Sequence, residues 1–277
     1  MRYGLTLPNG GPCGDAKSLG EFARLAEETG WDGVFIEDTL LHFSGPTAPT
    51  FDPWIALAAM AMNTSRIRLG TTVTPLPRRR PWKLARETAT LDILSNGRLI
   101  LGVGLGELSD LTPFGEITDN VMRARMLDEA LDVLVGLWSG QPFSYQGKHY
   151  HVEEVTFLPT PIQKPRIPIW VGGGYGRVGP MKRAARWDGA AMFPVTGNNW
   201  TFEEIQALAT FMRDHHPPSA PYDIVVSGQE RSADVEQGRA LVASYAQAGA
   251  TWWFEYVHAA EYAVMQKHIA QGPLRIG

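Results

Sequence analysis

The sequence contains 277 residues, of which 44% are hydrophobic and 19% are charged, and its formal net charge at pH 7 is −4. This composition excludes an intrinsically disordered chain, and the mild acidic balance gives no reason to expect a nucleic-acid partner. Cys13 is the single cysteine, which excludes an intramolecular disulfide and a cysteine-based metal site, and we predict no bound metal ion.

The opening residues give no targeting signal. Pro8 interrupts the first apolar residues too early for the core of a signal peptide. No uninterrupted apolar run approaches the roughly 18 residues that span a membrane. We therefore expect a cytoplasmic protein with no membrane partner.

Short apolar runs rich in β-branched residues alternate along the chain with longer segments of helical periodicity. This alternation predicts a repeating strand–helix unit of about 30 residues. The predicted strands begin at Arg2, Gly33, Ile67, Leu99, Ile167, Gly189, Tyr222 and Thr251.

Capping signals mark the starts of several helices between these strands. Ser18 and Glu21 have the spacing of a capping box, and Gly30 follows the apolar stripe of that helix. Later helix starts are predicted at Asp52 with Pro53, at Pro81, and at Thr201 with Glu204.

Alternating strands and helices predict a parallel sheet, because each helical crossover returns the chain in the same direction. Eight such units in about 250 residues fit a closed (β/α)8 TIM barrel better than an open doubly wound sheet. One gap between predicted strands is longer than the others, and residues 141–165 there hold aromatic residues among glycine and proline. We expect a single α/β barrel domain over residues 1–277, with a hairpin-bearing insertion between the fourth helix and the fifth strand.

The active site of such a barrel lies at the carboxyl ends of the strands. No lysine ends a predicted strand, which disfavours Schiff-base chemistry. No His-x-His motif follows the first strand, which disfavours a barrel metallohydrolase. A bound cofactor or a pair of carboxylates therefore has to supply the reactivity.

A glycine-rich segment follows the fifth predicted strand and precedes a helix. Glycines let a ligand approach the backbone closely, and free amides at a helix N-terminus attract phosphate. Arg177 adds a charge-assisted contact. The alternative is a loop whose glycines serve tight turns. We predict a phosphate-binding loop formed by Gly172, Gly173, Gly174, Tyr175, Gly176, Arg177 and Gly179.

Several segments together resemble the bacterial-luciferase-like family, the flavin- or deazaflavin-dependent oxidoreductases built on a (β/α)8 barrel. The resemblance covers nearly the whole chain, and the combination of motifs is specific. The matching segments are 30–34 (GWDGV), 67–87 (IRLGTTVTPLPRRRPWKLARE), 91–104 (LDILSNGRLILGVG), 167–173 (IPIWVGG) and 185–189 (ARWDG).

The resemblance implies where a cofactor lies. Family members hold the ring of FMN, or of the deazaflavin coenzyme F-420 (F420 below), over a bulge that often contains a non-prolyl cis peptide, here between Thr72 and Val73. Plain β-branched strand propensity is the alternative explanation. Residues 78–80, three arginines, serve either an anionic cofactor tail or a solvated helix entry. The predicted ring-binding residues are Thr71, Thr72, Val73, Thr74 and Gly104.

Acidic residues at the strand ends supply candidate catalytic groups. Glu107 ends the fourth strand, where the deazaflavin-dependent dehydrogenases of the family similarly carry a glutamate that handles protons. A half-buried carboxylate there is expected to have a raised pKa. Glu37 and Asp38 end the second strand, where those dehydrogenases have an Asp-His pair. Here Thr39 replaces the histidine and His42 is the nearest one, so the predicted catalytic residues are Glu107, Asp38, His42 and Glu37.

The sequence favours a monooxygenase that uses reduced FMN and oxygen on a small organic substrate, because the Asp-His pair is incomplete. The alternative is an F-420-dependent dehydrogenase or reductase in which Glu107 exchanges the proton. We expect a homodimer or higher homo-oligomer and a separate flavin or F-420 reductase as partner. The substrate is expected to be partly apolar, with a lining that includes Phe43, Phe51, Trp54 and Phe114.

Two functions of other classes compete with these interpretations. A barrel glycosidase uses two carboxylates at strand ends, and Glu107 and Glu230 have such positions. That function leaves the glycine-rich loop and the segment at Thr72 and Val73 unexplained. A flavin-binding protein without turnover is the second competitor, because a cofactor site does not prove catalysis.

Overall fold

The computed structural model describes residues 1–42, 45, 47–194, 199–217 and 220–276, along which strands and helices alternate. The predicted lining residue Phe43 lies outside these residues. The strands are β1 (Arg2–Leu7), β2 (Gly33–Ile36), β3 (Arg68–Thr71), β4 (Thr74–Pro75), β5 (Leu99–Gly104), β6 (Pro142–Gln146), β7 (His151–Thr156), β8 (Ile169–Gly174), β9 (Gly189–Phe193), β10 (Asp223–Gln229) and β11 (Trp252–Tyr256). The helices are α1 (Ala16–Glu28), α2 (Pro53–Met62), α3 (Pro81–Leu94), α4 (Leu108–Leu111), α5 (Asn120–Trp138), α6 (Val178–Ala184), α7 (Phe202–His215), α8 (Val235–Ala248) and α9 (Tyr262–Ala270).

Parallel pairing closes the main sheet into a barrel. The order around it is β1, β2, β3 with β4, β5, β8, β9, β10 and β11, and β11 pairs in parallel with β1. β3 and β4 both pair with β5 and share one position, with Thr72 and Val73 between them. Within the described residues the barrel therefore has eight parallel positions, which confirms the predicted (β/α)8 architecture.

The antiparallel hairpin of β6 and β7 lies between α5 and β8. It confirms the predicted insertion, because α5 is the helix of the fourth barrel unit. Glu129 on α5 accepts hydrogen bonds from the backbone amides of Lys148, His149 and Tyr150. These bonds fix the turn of the hairpin against the barrel.

The later helix starts follow the predicted caps. The Asp52 carboxylate caps α2 ahead of Pro53, and α3 begins at Pro81. At α7, Thr201 and Glu204 make both hydrogen bonds of the capping box. The sequence predicts these helix starts correctly because each capping side chain binds amides only two or three residues away.

The start of α1 differs from the prediction. Asp15 is the N-cap, and its carboxylate accepts hydrogen bonds from the backbone amides of Lys17 and Ser18. The Ser18 hydroxyl itself donates to Asp15 Oδ2 at 2.7 Å. The predicted capping box of Ser18 with Glu21 is therefore wrong, because the Asp15 carboxylate starts the helix three residues earlier and leaves Ser18 inside the first turn.

Aromatic side chains fill the interior of the barrel below its mouth. The Phe35 ring stacks on Trp170 with ring centroids 5.1 Å apart, and it lies 4.8 Å from the Phe254 ring. These residues and Trp252 are 0% exposed. Gly70 leaves room for them, since a Cβ there would lie 2.7 Å from Phe35 Cε1. The rings form a solid floor beneath the carboxyl ends of the strands.

Candidate active site

A layer of polar side chains lies on this aromatic floor. Every second side chain of a strand points to the same face, so the residues two positions after the inward-facing Phe35 and Phe254 also face the barrel interior. These residues are Glu37 and Tyr256. The Tyr256 hydroxyl donates a hydrogen bond of 3.1 Å to Glu37 Oε1. Strand geometry thus brings together two residues that are far apart in the chain.

Glu37 is a titratable group of this layer. Burial raises the pKa of Glu37 to about 7, although the hydrogen bond from Tyr256 acts in the opposite direction. Glu37 Oε2 is buried and has no hydrogen-bond partner among the described residues. Burial, and then the negative charge of Glu37, raise the pKa of Tyr256, so the phenol stays neutral. A carboxyl group that is half protonated near neutral pH suits a general acid or base.

The bulge between β3 and β4 lies next to Glu37. The peptide bond between Thr72 and Val73 is cis, as the resemblance implies. The Thr72 amide donates to the Ile36 carbonyl at 2.9 Å, directly before Glu37. The Thr72 hydroxyl oxygen lies 3.5 Å from that of Thr6, near the end of β1. The predicted ring site and the carboxyl group are therefore neighbours.

Two glycines leave the space that the Val73 side chain occupies. A Cβ on Gly104 would lie 2.6 Å from Val73 Cγ2, and a Cβ on Gly172 would lie 2.9 Å from Val73 Cγ1. Both distances are too short for a real Cβ, so β5 and β8 require glycine here. Val73 is half-buried, which leaves part of its side chain open to a ligand. We call Val73, Gly104 and Gly172 the bulge cradle.

Two of the predicted ring-binding threonines use their hydroxyls inside the protein. Thr71 Oγ1 donates to the Gly102 carbonyl at 2.9 Å, and Thr74 Oγ1 donates to Thr71 Oγ1 at 3.0 Å. Both threonines are 0% exposed. Their hydroxyls therefore fix the bulge, and Thr72 and Val73 are the half-buried residues of this segment.

The glycine-rich loop lies beside the bulge cradle. Gly174 ends β8, two residues or about 7 Å along the strand from Gly172. Gly176 has a φ of +78°, and the exposed Arg177 precedes α6, which has seven residues. A Cβ on Gly176 or Gly179 would meet nothing within 4 Å. The loop is thus open to an extended ligand that begins at the cradle.

Asp38 lies in a buried ion network. Arg78 donates to Asp38 Oδ1 at 2.5 Å and also binds Asp110. The Asp38 and Arg78 side chains are 0% and 5% exposed. Asp110 Oδ1 accepts from the Leu40 and Leu41 amides, both at 2.7 Å. The network therefore ties the loop after β2 to α4 and to the turn after β4, and its contacts favour a positioning role for the predicted catalytic residue Asp38.

The arginine run 78–80 divides between the interior and the surface. Arg79 also donates to Asp38 Oδ1, at 2.8 Å, so Arg78 and Arg79 both turn toward buried carboxylates. Arg80 is exposed, with its guanidinium 6.0 Å from the Trp82 ring centroid. Arg78 and Arg79 thus balance the charge of carboxylates that are far from them along the chain.

The remaining predicted catalytic residues have contrasting environments. Glu107 is exposed and immediately precedes α4, and its burial beside a bound flavin stays a prediction. Gly106, directly before it, has a φ of +78°, so the backbone has left the strand conformation there. His42 is 2% exposed, and burial lowers its pKa. A Cβ on Gly10 would lie 2.5 Å from the His42 ring, so this ring is packed against the backbone of a neighbouring loop.

Tyr256 is not among the predicted site residues, although the alternation of the strand around it indicates which face its side chain is on. Residues 252–256 read WWFEY, and the period of two puts the tyrosine on the same face as Trp252 and Phe254. Its partner Glu37 directly follows β2, which is one strand beyond β1. The contact needs the closed barrel, which a strand pattern does not show by itself.

In the part of the chain that the structure describes, no three His, Cys, Asp or Glu side chains come together in a way that could hold a metal ion. No helix in this part is long and apolar enough to cross a membrane.

A family of known proteins resembles this chain along nearly its whole length. Residues 1–272 match the family model described as luciferase-like monooxygenase. The F420-dependent glucose-6-phosphate dehydrogenase of Microbacterium testaceum is 39% identical over 157 residues, which are 55% of this chain and 45% of that relative. The match thus spans about half the length of the curated relative.

Two solved structures share the fold. Monooxygenase RslO1 from Streptomyces bottropensis superposes with a TM-score of 0.80 at 22% identity, covering 97% of this chain and 96% of that one. The F420-dependent tetrahydromethanopterin reductase from Methanopyrus kandleri gives a TM-score of 0.76 at 16% identity, with 98% of each chain covered. At these identities the two structures establish the fold alone.

Proposed function

Because the chain belongs to the luciferase-like monooxygenase family, we propose that it is an F420-dependent dehydrogenase or reductase of a small organic substrate. The observation that carries this proposal is Glu37, a buried carboxyl group with a pKa of about 7 beside the bulge cradle. Oxidation of an alcohol, or reduction of a carbonyl group, moves one proton with each hydride, so such a site needs an acid or base. The 39% identity with an F420-dependent dehydrogenase supports the same cofactor.

The residues at the mouth fit a flat ring with a phosphate-bearing tail. The bulge cradle offers an apolar support that a Cβ at Gly104 or Gly172 would fill. The neighbouring loop from Gly174 to Gly179, with Arg177, would hold the phosphate. When bound, the deazaflavin supplies the acceptor or donor of the hydride.

The chain itself handles the proton. In the oxidative direction, the charged Glu37 carboxylate accepts the proton of the substrate hydroxyl as that O–H bond breaks. In the reductive direction, the protonated carboxyl group donates it to the carbonyl oxygen. Since the pKa is about 7, both forms are populated near neutral pH. The exposed Glu107 is the other predicted candidate for this step.

A monooxygenase that uses reduced FMN and oxygen is the second candidate function. Thr39 favours it, because the deazaflavin-dependent dehydrogenases that the sequence resembles have a histidine there. Such an enzyme would need a separate reductase as partner, and we propose a homo-oligomer for either function. Fluorescence titration of the purified protein with F420 and with reduced FMN separates the two. We expect the tighter binding for F420, and tighter binding of reduced FMN would overturn the choice of cofactor.

Gly174→Asp is expected to weaken F420 binding at least about tenfold relative to Gly174→Asn, because only the aspartate places a negative charge beside the cofactor phosphate. The asparagine variant is the matched control, since the two side chains have nearly the same size. The affinities are measured by fluorescence titration at low and high salt, and the difference should shrink with salt. Equal affinities of the two variants would show that this loop is not the phosphate site.

Gly104→Ala is expected to lower F420 affinity about tenfold, because overpacking of this kind costs about 1–3 kcal/mol. The added Cβ would press on Val73 Cγ2 from 2.6 Å and move the support of the ring. The double variant Gly104→Ala with Val73→Ala relieves this contact and should recover part of the affinity. A single variant that binds F420 as the wild type does would contradict the cradle.

A further inference from the structure

Tyr256 stands between the barrel mouth and a separate cavity. Its hydroxyl reaches Glu37 Oε1 at 3.1 Å. The same residue lines a cavity of about 670 Å³ that lies beside the ends of β10 and β11 and is also bounded by Glu230, Arg231, His258 and His268. A cavity of this size, bounded in part by charged side chains, has room for several water molecules. Tyr256 thus lies between the carboxyl group and this second space.

Three basic residues that bound this cavity, Arg231, His258 and His268, each lie next to a glutamate. Arg231 and His268 bind Glu255 Oε2, at 3.2 Å and 3.3 Å. His258 Nε2 lies 3.2 Å from Glu230 Oε1, and both side chains are exposed. The Tyr256 and His258 rings have centroids 4.9 Å apart in an edge-on contact. The cavity therefore continues from Tyr256 to titratable groups in solvent.

Glu37 is faced by a small set of groups. Burial and the Tyr256 hydroxyl are the two influences on its protonation. Phe35, two residues earlier in the chain, stacks on Trp170. Substrate and cofactor bound at the mouth would cover its open face. Proton exchange with solvent during turnover then needs a second way out, and the hydroxyl of Tyr256 is the group that touches the carboxylate from the cavity side.

We infer that Tyr256 relays the proton of Glu37 to the cavity, and that the cavity is the exit route to solvent; this inference rests on the proposed function. Tyr256 acts through Glu37 and is therefore a positioning residue. When Glu37 is protonated, the Tyr256 hydroxyl first rotates so that its O–H bond points to a water molecule in the cavity. The Glu37 O–H bond then breaks toward the phenol oxygen while the phenol O–H bond breaks toward that water, which carries the proton to solvent. The new phenol O–H bond points at Glu37 and restores the starting hydrogen bond. No charge stays on the tyrosine.

Tyr256→Phe tests the relay, with Tyr262→Phe as the matched control. The Tyr262 hydroxyl also donates to a carboxylate, Glu21 Oε2 at 2.8 Å, but on the outer helices. We expect Tyr256→Phe to lower kcat about 10- to 100-fold with little change in KM. We also expect a larger solvent deuterium isotope effect and a higher apparent pKa in the pH profile, because the carboxylate loses a hydrogen bond. Tyr262→Phe should leave all three quantities unchanged, and wild-type values in Tyr256→Phe would overturn the relay.

A second measurement keeps the relay separate from the proposed function. NMR titration of the Glu37 carboxyl carbon in the protein without cofactor needs no turnover, and its midpoint should rise in Tyr256→Phe. An unchanged midpoint overturns the inference, whereas wild-type protein that neither binds nor turns over F420 overturns the proposed function. If the variant does not fold, the Tyr256 ring-carbon signal of the wild type should shift where Glu37 titrates. A Tyr256 ring-carbon signal that does not shift across the pH range in which Glu37 titrates overturns the relay.

Discussion

Glu37→Gln is expected to lower kcat about 10²- to 10⁴-fold while F420 affinity stays near that of the wild type. The amide keeps the size of the side chain but neither accepts nor donates the proton that accompanies the hydride. In the wild type, the oxidative rate should rise with pH through about 7, because the carboxylate form is needed, and the reductive rate should fall through the same pH. In Glu37→Gln, neither the rise of the oxidative rate nor the fall of the reductive rate around this pH should be seen. Steady-state rates across pH, together with fluorescence titration of F420, measure these effects.

Glu107→Gln is the comparison that decides between the two carboxyl groups. It makes the same chemical change at an exposed position, and we expect a smaller loss of kcat than in Glu37→Gln. A larger loss at Glu107 than at Glu37 would assign the proton step to Glu107 and contradict the role of Glu37.

Glu37→Gln also changes the pH dependence of stability. The folded state raises the pKa from 4.5 to about 7, so it keeps a proton that the unfolded chain has released. The wild type therefore loses stability as pH rises between these values, by about 3 kcal/mol at most. The variant lacks this loss, and urea unfolding at about pH 5 and about pH 8 measures the difference. Identical pH dependence in both proteins would show that Glu37 is ionised normally.

Asp38→Ala is expected to lower the free energy of unfolding by about 3–5 kcal/mol, because it removes the carboxylate that both the buried Arg78 and the half-buried Arg79 bind, and Asp110 remains for Arg78 alone. The control is Glu87→Ala, which removes the partner of Lys83, a side chain that is 68% exposed. We expect a change of less than about 1 kcal/mol there. Urea unfolding of both variants measures the effect. Equal losses would contradict the view of Asp38 as the centre of a buried network.

Much of the fold follows from local patterns in the sequence. The alternation in residues 252–256 and the cap at Asp52 act over a few residues, so strand and helix starts are predicted to within two or three positions. The cap of α1 is mispredicted because Asp15 and Ser18 are both suitable capping residues within one turn, and the helix starts at the earlier one. The hairpin insertion is predicted from the spacing of strands around it, which also reflects local periodicity.

The site is less accessible to sequence reasoning, because its contacts join distant residues. Arg78 reaches Asp38 and Asp110 across 40 and 32 residues, and no local pattern reveals that pairing. Tyr256 and Glu37 are 219 residues apart and meet across β1. Glu107 is a different case. Its position at a strand end is predicted from the sequence, but its exposure depends on the turn at Gly106.

A crystal structure of the protein with bound F420 would show the active site directly. We expect the deazaflavin ring in van der Waals contact with Val73, its phosphate at the loop from Gly174 to Gly179, and Glu37 facing the substrate side of the ring. A ring bound away from the bulge cradle, or a mouth in which Glu37 cannot reach a substrate, would contradict the proposed site and its chemistry.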